Sequence, residues 1–324
     1  MPTVRWGLLG TALINRRLIP AMRAVARSTI VAVASRDQGR ADAYAREWDI
    51  PHAVGGYAAL LGRDDVDAVY IPLPNSLHVE WSLASIAAGK HVLCEKPLAM
   101  HPDDVSRLEE ASVTRGVIVA EGFMYRHEPV NREVVALVRD GAIGAVRTIA
   151  SGYTYAQSRA GDVRLDQALG GGALLDVGCY PVSYACLLSG RDPVQAAGIA
   201  RFTTGGVDEE FTGIVRFPGD CTASVYAGFR AAYRTWLEVT GSEGWMRVPN
   251  PFKPGPVETI ELERFGERRS IAIAGSPQLY VKQVEDFVAA VLDGAQPVVT
   301  LSESRRVATA LAALHAAAAP EAMA

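Results

Sequence analysis

Over its first third the chain keeps one rhythm: a short, uniformly apolar run, then a segment with helical spacing. The runs are Arg5–Leu9, Thr29–Ala34, Ala68–Pro72, His91–Cys94 and Val117–Glu121; helical patterns lie around Leu13–Arg27, Gly39–Trp48, Ser76–Ala88 and Pro102–Arg115. A strand apolar on both sides must be covered on both sides, and a parallel sheet does this because its crossover helices lie over its faces. A doubly wound α/β domain is predicted over residues 1–123. Its site belongs at the carboxyl ends of the strands.

The texture changes after Phe123. A helix is predicted over Pro129–Asp140, and then period-two alternation marks strands over Ala145–Tyr155, Val194–Thr203, Asp208–Phe217, Cys221–Phe229, Arg234–Thr240, Trp245–Val248 and Val257–Glu263. Such strands bury one face, so residues 124–324 are expected to form an α+β domain on an open, mostly antiparallel sheet. Helices at Pro277–Leu292 and Ser302–Ala319 are expected to pack back on it. A length of 324 residues suits two cores better than one.

Several classes of function fall away. Lys+Arg of 32 against Asp+Glu of 36 gives a net charge of -4, with no basic excess for nucleic acid. The longest apolar stretches, near Ala308–Ala319 and Leu174–Leu188, are short for a membrane span or carry His315 or Asp176. Six histidines are scattered without ligand spacing, so no metal site is expected. The four cysteines form no CxxC pair, as in a reducing cytoplasm. Trp6–Ile14 is mostly apolar but no small-residue cleavage site follows, and it reads as a strand entering a turn. A cytoplasmic protein is the expectation.

The residues with chemistry cluster at the predicted strand ends. Gly10-Thr11-Ala12-Leu13-Ile14-Asn15 opens the first helix where a dinucleotide pyrophosphate would sit, although Ala12 and Asn15 replace the second and third glycines of the fingerprint. Ser35 and Arg36 end the second strand, where a hydroxyl and a guanidinium suit the 2′-phosphate of NADP; Asp37 follows and either caps the next helix or reaches a ribose, so NAD stays open. Pro72, Asn75 and His78 follow the third run, with Asn75 and His78 facing the nicotinamide ribose or capping the next helix. Glu95-Lys96-Pro97 ends the fourth, and Pro97 restricts the lysine that precedes it. Further on, Gly170-Gly171-Gly172 signals a close approach, and Asp176 and Tyr180 share a face if a helix starts near Asp176. A tyrosine beside a lysine makes a proton-transfer pair, because the ammonium favours the phenolate.

These motifs, in their order and separation, resemble the glucose–fructose oxidoreductase / inositol dehydrogenase / rhizopine-catabolism oxidoreductase family over essentially the whole chain. The resemblance implies an N-terminal Rossmann domain, a C-terminal open-sheet domain that often makes dimer contacts, and a nicotinamide cofactor between them. It implies Lys96 as the active-site lysine, with Glu95 as its cofactor-contacting neighbour. Inositol dehydrogenases carry histidine where this chain has Tyr180, so the branch implied is that of xylose and dihydrodiol dehydrogenases, in which tyrosine is the acid/base. Gly122-Phe123-Met124-Tyr125-Arg126 resembles that branch too, placing Tyr125 and Arg126 near nicotinamide and substrate. Asp176 would then orient substrate hydroxyls. The function implied is hydride transfer between NADP and a secondary hydroxyl or carbonyl of a sugar or polyol, in a homodimer or dimer of dimers. The alternatives are a nucleotide-sugar ketoreductase, which uses the same tyrosine and lysine, and a dinucleotide-binding sensor without catalysis. The pocket itself depends on the loops around Tyr153–Asp166.

Overall fold

The computed structural model describes residues 1–157 and 161–318, so positions 158–160 of the expected pocket loop and Ala319 of the last expected helix lie outside the described residues. The chain begins β1 (Val4–Leu9), α1 (Asn15–Ala24), β2 (Ser28–Ser35), α2 (Gln38–Glu47), β3 (His52–Gly55), α3 (Tyr57–Leu61) and β4 (Ala68–Ile71). It continues with α4 (His78–Ala87), β5 (His91–Cys94), α5 (Pro102–Arg115), β6 (Val119–Glu121), α6 (Pro129–Arg139) and β7 (Val146–Thr154). After α7 (Cys179–Ser189) come β8 (Gln195–Phe202), β9 (Asp208–Phe217), β10 (Cys221–Gly228), β11 (Arg234–Gly241), β12 (Gly244–Val248), β13 (Val257–Arg264) and β14 (Glu267–Ala274). The last helices are α8 (Val281–Asp293) and α9 (Leu301–Ala318).

The chain forms two compact units. The first comprises Met1–Ala99, Asp103–Met124 and Gln278–Leu301. Its six strands pair in parallel in the order β3-β2-β1-β4-β5-β6. This is the doubly wound dinucleotide-binding order, with the crevice where the order reverses between β1 and β4. Trp6, Leu8, Val33, Val69 and Val92 are fully buried along the strands, as uniformly apolar runs require. Neither β3 nor α3 was expected: at four and five residues both are too short to show a period. The grouping of both C-terminal helices with the second half is also corrected. α8 belongs to the first unit, where Phe287 lies 5.0 Å from the Trp6 ring and Asp293 pairs with Arg27.

The second unit comprises Met100–Pro102, Tyr125–Pro277 and Ser302–Ala324. Its eight strands run β14-β13-β12-β11-β7-β10-β9-β8, antiparallel except for the β10–β7 pair. Register confirms one buried face: Cys221, Ala223 and Ala227 on β10 pair with Phe217, Val215 and Phe211 on β9, and all six are buried. β14 escaped notice because Glu267, Arg268 and Arg269 open it; such charge is typical of a sheet edge. α7 packs against β7 and β10 and is buried nearly all round. The apolar helical stretch Gln167–Ser189 is long enough to cross a membrane, but 83% of its most apolar window is buried inside the protein.

Candidate functional site

In the first unit the turn after β1 is built around Gly10. Its φ of +117° lies in the region that favours glycine, and an added Cβ would stand 3.1 Å from a Leu73 methyl. Asn15, which departs from the fingerprint, is buried and donates from Nδ2 to the Gly10 carbonyl at 2.9 Å, tying the turn from inside. No side chain caps α1 and its first turn carries no acidic residue, so its amide dipole suits an anion.

At the tip of β2, Asp37 accepts the Arg40 N–H at 2.7 Å and is the N-cap of α2. In that cap the carboxylate is turned to the helix, and Arg36 is exposed beside it. Arg36 and Arg40 both lie close enough to Tyr57 to oppose the effect of its burial, which raises the phenol above its ordinary value. The Tyr57 hydroxyl is in turn 3.8 Å from the Cβ position of Gly10. The cradle at Gly10, the uncapped helix and the two guanidiniums fit the pyrophosphate and 2′-phosphate of NADP. Arg40 and Tyr57 were missed, since an arginine inside a helix and a tyrosine after Gly-Gly carry no motif.

The segment after β5 is held at several points. Glu95 N–H donates to Ile71 O at 3.0 Å, and Tyr70 donates its hydroxyl to Glu95 Oε1 at 2.6 Å. Leu98 N–H donates to the buried Glu121 at 2.9 Å. Lys96, joined to Pro97 by a cis peptide, is half-buried between these ties. His78 corrects an expectation. Its Nδ1 lies 2.8 Å from Pro97 O and its Nε2 2.8 Å from Leu73 O, so neither ring nitrogen faces a ribose or caps α4. Burial holds its pKa below the ordinary value, with Lys96 adding to the effect, so the neutral ring donates one hydrogen bond, to the Pro97 or the Leu73 carbonyl, and lies between the loops after β4 and β5. Pro72 is buried at the end of β4, and Asn75 opens a single 3-10 turn before α4.

In the second unit Asp176 and Tyr180 lie on one helical run, though not as an ordinary helix. Leu174–Gly178 is a π-turn that leads directly into α7, an irregularity often found at functional sites. Asp176 Oδ2 accepts both the Tyr155 hydroxyl and the Arg164 Nε–H at 2.9 Å, and Asp162 holds the other side of Arg164 at 3.1 Å. The Arg164 guanidinium is driven upward chiefly by Asp176, and the Tyr155 phenol upward by burial and then by Asp176. Tyr180, 5% exposed, packs with ring centroids 5.4 Å from Tyr153, 5.3 Å from Phe252 and 5.9 Å from Tyr125. Tyr125 is fully buried, with its hydroxyl 3.0 Å from Ser183 Oγ. Arg126 pairs with Glu303 of α9 at 3.1 Å. By chain position Lys96 belongs to the first unit and Tyr180 to the second.

The family profile described as oxidoreductase family, NAD-binding Rossmann fold, matches residues 4–123, and that described as GFO/IDH/MocA C-terminal domain matches residues 131–247. A D-xylose 1-dehydrogenase (NADP(+)) from Haloferax volcanii is 36% identical over 96% of this chain and 96% of its own. A trans-1,2-dihydrobenzene-1,2-diol dehydrogenase from Xenopus laevis is 33% identical over 79% of this chain and 78% of its own. The crystal structure of a 3-ketoreductase from Actinomadura kijaniata in complex with NADP and TDP-benzene superposes with a TM-score of 0.89, at 34% identity, over 98% of each chain. With both halves matched and the fold shared end to end, the chain belongs to the GFO/IDH/MocA oxidoreductase family with its NAD-binding Rossmann fold.

Proposed function

We propose that this protein is an NADP-dependent dehydrogenase or reductase acting on the secondary hydroxyl or carbonyl of a free sugar or related polyol, of the aldose or dihydrodiol dehydrogenase type. The observation that carries the reading is the β2 tip. Asp37 is turned into a helix cap while Arg36 and Arg40 remain beside Tyr57, a charge arrangement for a 2′-phosphate. Gly10, Thr11, Ala12, Leu13 and Ile14 hold the pyrophosphate on the dipole of α1; Ser35 and Arg36 take the adenosine end; Pro72, Asn75 and Glu95 complete the dinucleotide contacts. The names of the xylose and dihydrodiol dehydrogenases support the substrate class.

Bound NADP supplies the hydride acceptor or donor. The chain's own residues handle the proton. Tyr180 removes it from the substrate hydroxyl in oxidation and returns it to the alkoxide in reduction, and the Lys96 ammonium favours the phenolate and steadies developing negative charge. Asp176, oriented by Tyr155 and Arg164, accepts from a neighbouring substrate hydroxyl and fixes which carbon reacts. A nucleotide-sugar ketoreductase is the second reading, favoured by the TDP-benzene complex of the structural relative. Against it, Arg164 and Arg126 are both answered by carboxylates, which leaves them poorly placed to bind a diphosphate. The reading extends to a cytoplasmic homodimer or dimer of dimers: its four cysteines are buried and form no disulfide, and Ile199 and Ile214 stand 80% and 50% exposed on one face of the second sheet.

The test is titration with NADPH and NADH, followed by absorbance assays with D-xylose, a trans-dihydrodiol and a dTDP-keto sugar. Tighter NADPH binding with turnover of D-xylose or the dihydrodiol supports the reading, and turnover of the dTDP sugar alone replaces it with the second. Binding without turnover of any of them favours an untested nucleotide sugar or the sensor over the free-sugar reading.

A further inference from the structure

The helical run that carries Asp176 and Tyr180 starts without a cap of its own: Ala173 stands at the N-cap position of Leu174–Gly178 and makes no side-chain bond. The cap comes from another element. Asp208, the first residue of β9, accepts the Leu174 N–H on Oδ2 at 2.7 Å, and its carboxylate accepts from the Ala173 backbone as well. It reaches that position over Gly172, whose φ is +126° and whose added Cβ would stand 2.0 Å from Asp208 Oδ1. Only glycine leaves that path open. The side chain is almost wholly inside, since Asp208 is 4% exposed. A carboxylate that deep costs the fold unless backbone donors hold it.

We propose that Asp208 is a positioning residue for the reaction: seated over Gly172, its carboxylate caps the run Leu174–Ser189 and sets where Asp176 and Tyr180 present their polar atoms. This rests on the reading of Tyr180 as the acid/base. An oxygen acceptor on the first amides anchors the π-turn that leads into Tyr180, and an ionised acceptor holds those amides more firmly than a neutral one. Burial pushes the Asp208 carboxyl up to about 7, so its ionisation falls in the working range. The charged groups around it are already paired. On β9, Glu209 and Glu210 face Arg201 and Arg230, and on the helical run Asp176 faces Arg164. The cap therefore titrates as one carboxyl, and turnover should rise with its ionisation.

The test compares D208A, D208N and Y180F with whichever substrate the wild type turns over, D-xylose or a trans-dihydrodiol with NADP+ or a dTDP-keto sugar with NADPH, and follows NADPH binding in parallel. The expected result is that D208A lowers kcat about tenfold at unchanged NADPH affinity. D208N keeps an accepting oxygen for Leu174, recovers most of the rate, and loses the rise in kcat that the wild type shows through neutral pH. D208A with wild-type kcat beside an inactive Y180F overturns the proposal. If D208A does not fold, as shown by a lost cooperative unfolding transition of the second unit in near-UV circular dichroism, D208N decides: a pH profile identical to the wild type overturns the proposal. Full turnover by Y180F removes the acid/base reading itself, and the positioning role falls with it.

Discussion

Arg36 and Arg40 should set the choice between NADP and NAD, and the size of their effect can be worked from where they stand. A guanidinium bonded to a phosphate contributes about 1.5–3 kcal/mol when the pair is shielded. Both side chains are exposed at the rim of β2 and α2, so solvent screening places each at the lower end, about 1.5 kcal/mol or roughly tenfold in Kd. Arg36→Ala should weaken NADPH binding about tenfold, and the double variant with Arg40→Ala somewhat under a hundredfold, because neighbouring charges do not add fully. NADH lacks the phosphate and should bind all three proteins alike. Raising salt to about 0.5 M should shrink the difference for the wild type and leave the double variant unmoved. The assay is nicotinamide fluorescence titration of each protein with each dinucleotide. Asp37→Ala supplies the control: it removes a helix cap, costs about 1 kcal/mol of stability, and should leave the NADPH to NADH ratio unchanged. The reasoning fails if Arg36→Ala weakens both dinucleotides equally, or if Asp37→Ala selectively weakens NADH, which would put that carboxylate on a ribose hydroxyl.

Tyr70→Phe removes the hydroxyl that donates to Glu95 at 2.6 Å and should cost about 1–2 kcal/mol of NADPH affinity with little change in kcat, read by the same titration. Gly152→Ala on β7 places a Cβ 2.1 Å from the Trp236 ring on β11; ejecting that ring should destabilise the second unit by about 1–3 kcal/mol, seen as a lower Tm. Stability should also depend on pH through Asp208. Its folded-state pKa of about 7 lies above the ordinary 3.8, so the folded state binds the proton more tightly; the contribution is complete below about pH 4 and is lost as pH rises through 7. The loss amounts to about 4 kcal/mol by pH 8, and urea unfolding of Asp208→Asn should show none of it. An unchanged slope in that variant would mean that another group carries the dependence.

What could be read along the chain and what could not divide by the distance over which the physics acts. The apolar runs of β1, β2, β4 and β5 and the alternation of β9 and β10 are local consequences of which faces are covered, so spacing alone located them. Gly10, Arg36 and Lys96 stand at or just past the ends of such strands, which is where ligands bind in a doubly wound sheet. Partners from elsewhere were invisible. Nothing in the spacing of Pro72 to His78 shows that the carbonyls of Leu73 and Pro97 stand on either side of one imidazole. The glycine triplet makes the point most clearly. Three glycines in a row signal a close approach, and the approach is there, but what fills the space is the chain itself: an added Cβ on Gly171 would meet the Arg164 carbonyl at 2.5 Å, and one on Gly172 the Asp208 carboxylate at 2.0 Å. Both contacts serve the same end, since Arg164 also holds Asp176 and Asp208 holds the first amides of the run. A motif that signals a close approach is thus the place where the protein closes on its own helix, at the start of the run that carries Asp176 and Tyr180.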